Sequence, residues 1–71
     1  MTTPEEMLQQ KLDHARKILA KLDEQKKLLA HYEQHPHAGQ LAREQRQSVR
    51  ITMHHLEDAL LAVEKFKGEM V

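Results

Sequence analysis

The sequence holds no cysteine and no tryptophan, and among its 71 residues there are only two glycines, two prolines and two aromatic residues, Tyr32 and Phe66. Without cysteine there is neither a disulfide staple nor a thiolate metal site, and the composition accords with a reducing cytoplasm, the expected location. No apolar run is long enough for a signal peptide or a membrane span, so no membrane partner is expected. Neither sign of charge is in excess, with eleven basic residues against eleven acidic ones. Phosphate binding needs a concentrated basic face, and an evenly mixed surface does not provide one; nucleic acid is not expected as a partner. With few aromatics and no alternation of period two, nothing predicts a strand.

What the sequence does have is leucine, alanine, methionine and long polar side chains spaced as on helices. Leu8, Leu12, Ala15, Leu19, Leu22 and Leu29 recur in steps of four and three, with Lys26 as the one gap. Val49, Met53, Leu56, Leu60 and Val63 repeat the pattern, which continues to Met70 with Lys67 as the gap. Such spacing keeps one stripe of each helix turned towards a partner helix. The expected fold is all-α: a single two-helix antiparallel hairpin packed like a coiled coil.

Local signals set the boundaries. Thr3 can cap the first helix, Pro4 suits the first helical position, and Glu6 stands where a capping box places its acidic residue. No glycine or proline interrupts residues 5–34. Pro36 lacks an amide donor and disfavours a helical His35, so the first helix should cover about 4–34 and the turn about 35–38. Gly39 offers a permissive backbone after the turn. The second helix should cover about 39–67 and stop at Gly68, with the last residues fraying. Pairs four apart, such as Asp13–Lys17 and Asp23–Lys27, support the helices.

Residues able to carry chemistry are sparse. Six histidines are the compositional anomaly. His31 and His35 have a helical spacing that can ligate zinc or nickel, but no cysteine or suitable set of carboxylates completes a shell. They read as polar residues at a helix C-terminus, where a protonated ring is favoured by the helix dipole. His54 and His55 read as flank residues. Arg43, Arg46 and Arg50 fall at helical spacing but are diluted by Glu44. Ser48, the sole serine, lies mid-helix with no glycine turn beside it, and Glu57 and Asp58 are neighbours on one solvated stretch. A hairpin of two helices has no cleft that excludes water. The chain reads as not an enzyme, with no cofactor, no metal ligand and no catalytic residue.

The remaining signal is a surplus of apolar residues. With Leu56 as the centre of the stripe and 100° per residue, Val49, Met53, Leu60 and Val63 fall within roughly 60°. Ala59 and Phe66 widen the stripe on one flank, Ile51 and Leu61 point away from it, and Leu28 lies off the stripe of the first helix. Leu28, Ile51, Ala59, Leu61, Ala62 and Phe66 are therefore the candidate partner-binding residues. A lone hairpin has one seam to bury and little to stabilise it, so completion by another protein is expected, with self-association when free. The competing readings are a homodimeric four-helix-bundle regulatory protein and a histidine-based metal binder.

The layout resembles the small E-type co-chaperones of bacterial type III secretion needle subunits. The resemblance runs from about Glu6 to Phe66. It is carried by Met7-Leu8-Gln9-Gln10-Lys11-Leu12-Asp13-His14-Ala15-Arg16, by the polar turn into Gly39-Gln40-Leu41, and by the run reaching Leu56-Glu57-Asp58-Ala59-Leu60-Leu61. It implies a cytoplasmic helical hairpin that pairs with a tetratricopeptide-like helical-repeat chaperone. Together the two would keep one needle subunit monomeric before export. The histidine-rich turn and the low aromatic content of the second helix depart from that family's pattern.

Overall fold

The structure, a computed structural model, describes residues 3–70 apart from the side chain of Met70. Two helices, α1 (Pro4–Gln34) and α2 (Gly39–Met70), run antiparallel and make up the whole of the described chain except its caps and turn. They form a rod of 53 × 16 × 14 Å, as expected of helices with about thirty residues at about 1.5 Å each.

α1 begins as its sequence dictates. Thr3 is extended (φ −74°, ψ 157°), the Glu6 amide donates to Thr3 Oγ1 at 3.1 Å, and the Met7 amide donates to the Thr3 carbonyl at 3.0 Å. The first of these satisfies an otherwise orphaned amide and the second is the first bond of the helix, with Glu5 and Glu6 at its positive end. At the other end His35 leaves helical geometry (φ −94°, ψ 121°), as the residue before a proline does. Its amide donates to the Tyr32 carbonyl at 3.1 Å. The turn closes when the Ala38 amide reaches the His35 carbonyl at 3.3 Å, and the Ala38 carbonyl then accepts the first bond of α2, from the Ala42 amide at 2.8 Å.

Two expectations about glycine are corrected. Neither glycine has a positive φ, so Gly39 opens α2 as an ordinary helical residue and Pro36, with the buried Ala38, makes the turn. Gly68 does not end α2, which continues to Met70. Gly68 is exposed, and a glycine in an exposed helix interior costs only about 1 kcal/mol, too little to stop a helix without a left-handed cap. The expected fraying of Val71 lies outside the described residues.

The larger correction concerns the seam. Leu8, Lys11, Ala15, Ile18, Leu22, Gln25, Leu29 and Tyr32 are buried or half-buried on α1, in unbroken steps of three and four, with Leu12 half-buried beside them as expected. On α2 the same steps run through Ala38, Ala42, Gln45, Val49, Thr52, Leu56, Ala59, Val63 and Phe66. These are heptad positions a and d of an antiparallel pair. Leu19, Met53 and Leu60, expected within the seam, stand one position further along, at e, and are 46%, 42% and 47% exposed. The physical reason lies near the turn, where the e rows carry Lys26, Glu33 and Arg46. Arg46 Nε and Glu33 Oε1 meet at 3.9 Å on the surface. A seam along e would desolvate these charges, whereas the row through Ala38, Ala42 and Tyr32 continues cleanly into the turn.

Small side chains therefore fill much of the seam: Ala15, Ala38, Ala42, Val49, Thr52 and Val63 are all buried. Two of the polar residues at d find partners. Gln45 Nε2 donates across the seam to the Gln25 carbonyl at 3.1 Å. Lys11 lays its stem in the seam and holds its ammonium 5.5 Å from the centroid of Phe66, a cation–π contact of about 0.5–1 kcal/mol at such a site.

Candidate protein-binding surface

A seam built on α2 mainly from small residues leaves large ones outside it. Side chains at e meet on one flank of the hairpin and those at g on the other, and the two flanks differ in chemistry.

On the e flank, Leu12, Ala15, Leu19, Leu56 and Leu60 line a shallow groove bordered by Arg16. Towards the turn the depression continues past Leu29, Val49 and Met53 and is rimmed by Arg46, Arg50, His54 and Glu57. The row is thus apolar in its middle and charged at its edges, as a docking surface is. On the g flank His14 and His55 share a depression with Ile18, Asp58, Ala59 and Ala62. Of its exposed apolar residues, Met7 at 41% and Leu28 at 41% are separated along α1 by His14 and Lys21, and Leu41 at 49% stands on α2 near the turn.

The six residues expected to bind a partner do not form one patch. Ala59 and Phe66 are half-buried at seam positions. Leu28, Ile51 and Ala62 are exposed towards the g flank, while Leu61, 62% exposed, stands on the outer face of α2. The residues that do come together are Leu12, Leu19, Leu56 and Leu60, with Met53 in the adjoining depression; spacing alone predicts all five in the seam, and of these Leu56 is there. A signal that separates the two rows was present in the sequence: the charges at Lys26, Glu33 and Arg46 interrupt the e row next to the turn, where the seam must be closed.

The other candidates resolve simply. The His31 and His35 rings pack edge-on with centroids 5.7 Å apart, and among the described residues no three His, Asp or Glu side chains converge as a metal site. Arg43, Arg46 and Arg50 gather with Gln47 along the edge of α2 that borders the e flank, and Arg46 has Glu33 as a partner. Ser48 is half-buried beside the seam, and Glu57 and Asp58 are exposed. Among the described residues no helix is long and apolar enough to cross a membrane.

Comparison of the chain with models of known protein families, with curated proteins and with solved structures finds no match.

Proposed function

We propose that this chain is a protein-binding co-chaperone whose e flank docks onto a helical partner. One observation carries the reading: Leu19, Met53 and Leu60, three large apolar side chains that the hairpin could have used as its own core, are instead left half in water on a single charge-rimmed flank. Scattered exposed leucines need no explanation. An aligned row of them on a rod with so small a seam is a surface awaiting a cover. Covering it would bury apolar area that the hairpin cannot bury alone, and would stabilise the hairpin by mass action. Packing an amphipathic helix into the groove between α1 and α2 is the mode that fits its shape.

The resemblance to the E-type co-chaperones supplies the finer part of the proposal. The partner is a tetratricopeptide-like helical-repeat chaperone of the cytoplasm, and the pair keeps a type III secretion needle subunit monomeric until export. The test is capture by tagged chain from a lysate of the source organism, with light scattering on the eluate. Recovery of a small helical-repeat chaperone in a defined 1:1 complex, or 1:1:1 with a needle subunit, is expected. Replacing Leu19 and Leu60 together by Glu is expected to abolish capture while helix content is retained. Undiminished capture by that variant would overturn the assignment of the flank, and recovery of no helical-repeat chaperone would overturn the assignment of the partner.

A further inference from the structure

We propose that, when no partner holds it, the e flank is covered by a second copy of the chain, packed antiparallel about a two-fold axis that passes level with Met53 and His54. The inference rests on the reading of this flank as a docking surface and adds its occupant in the free protein.

The observation is a charge pattern that complements itself. Along the groove edge of α2, at intervals of seven, stand Arg43, Arg50, Glu57 and Glu64, all exposed. Arg50 and Glu57 line the groove itself, and Arg43 clusters with Arg50 on the same edge. Two positive charges are followed by two negative ones, so turning the row end to end sets Arg43 against Glu64 and Arg50 against Glu57. Each contact is made twice across a two-fold axis, as an isologous interface requires.

The opposite edge of the groove, on α1, repeats the logic. Arg16 and Asp23 are the charged members of that row, and reversing it sets each against the other. Arg16 holds only a 3.9 Å surface contact with Asp13, which leaves it free to exchange partners. The two centres of symmetry coincide. Leu19 and Leu60 line the same depression on one flank, and His14 and His55 do so on the other. Averaging these opposite offsets places residues 20 and 21 of α1 level with residues 53 and 54 of α2. The Arg16–Asp23 midpoint lies within about one residue of that level, or about 1.5 Å. A single axis therefore serves both helices, and Leu19 and Met53 lie close to it.

A two-fold axis along the rod would instead bring α2 against α1 of the other copy. It matches Arg50 with Asp23 and Glu57 with Arg16, but leaves Arg43 and Glu64 opposite uncharged residues. The antiparallel arrangement uses every charge in both rows. It completes a four-helix bundle from two hairpins, with Leu12, Leu19, Met53 and Leu60 about its centre and the charged ends of Lys26, Glu33, Arg46 and Lys67, further members of the e rows, carried on their stems to its surface.

The experiment is sedimentation equilibrium on the full chain and three charge variants, with circular dichroism confirming helix content. The native chain is expected at twice its 8.3 kDa mass at micromolar concentration, with association weakening as salt is raised. R43E/R50E and E57R/E64R are each expected to associate about tenfold or more weakly, because opposed charges become like charges. Mixed together, the two variants should form a heterodimer. Combined in one chain, the four substitutions restore a self-complementary row and should restore the dimer. A native chain that is monomeric up to about 100 µM, some hundredfold above that range, would overturn the proposal and leave the partner reading standing. A dimer indifferent to both charge variants, or one lost in the four-fold variant, would overturn the antiparallel axis. Whether L19E/L60E still captures the helical-repeat chaperone is read separately and decides the docking surface.

Discussion

Ala42→Leu is expected to destabilise this hairpin, although it adds apolar volume to a core that is short of it. Ala42 is 3% exposed and sits at a seam position opposite the end of α1, one turn after the carbonyl of Ala38 begins α2. Ala38 and Val49, the seam positions before and after it, are also buried, so the three added carbons must be fitted between the helices. Overpacking of this kind costs about 1–3 kcal/mol. In a domain of this size each kcal/mol moves the melting temperature by about 4–8 °C, giving a fall of roughly 5–20 °C. The control is Ala20→Leu, the same chemical change on the exposed outer face of α1, which should stay within about 0.5 kcal/mol of the parent. Both are read by thermal melts of the helical signal at two protein concentrations, so that association is separated from folding. A melting temperature for Ala42→Leu equal to or above that of the parent would refute a seam closely packed by small residues.

Two further substitutions follow from the same structure. Gly39→Ala and Gly68→Ala should each stabilise by about 0.4–1 kcal/mol, since both glycines are helical, neither has positive φ, and a Cβ at either meets nothing within 4 Å; denaturant melts that move to lower midpoints would contradict this. Gln25 Oε1 is buried without a hydrogen-bond partner, and removing such a group recovers about 1–3 kcal/mol of desolvation. Gln25→Leu should therefore raise the denaturation midpoint, a lowered midpoint being the contrary result.

Much of the fold is written locally. Thr3-Pro4 and Glu6 start α1, Pro36 stops it, and a turn this short makes the helices antiparallel neighbours. The seam is harder to read, because in the first half of α1 the e row (Leu12, Leu19) is more apolar than the d row (Lys11, Ile18), and the charges that break the e row, Lys26 and Glu33, come only near the turn. Hydrophobicity alone therefore selects the wrong row. What decides is the fate of charges beside the turn and the fit of Ala38, Ala42, Thr52 and Ala59 against the facing helix, which is a property of the pair. The candidate site was hidden by the same choice: once Leu19, Met53 and Leu60 are taken as core, the surface they form disappears. Gly68 is ambiguous in sequence because glycine is both the common helix stop and a tolerable exposed helix residue, and only the backbone distinguishes the two.

The two flanks can be told apart by their methionines, since Met53 lies on the e flank and Met7 on the g flank. The decisive measurement is the ¹³C-methyl NMR spectrum of methionine-labelled chain, free and bound to the helical-repeat chaperone recovered by capture. Docking on the e flank predicts that the Met53 methyl signal shifts on binding while that of Met7 stays in place. A shift of Met7 with Met53 unmoved would contradict the account and transfer the docking surface to the other side of the hairpin.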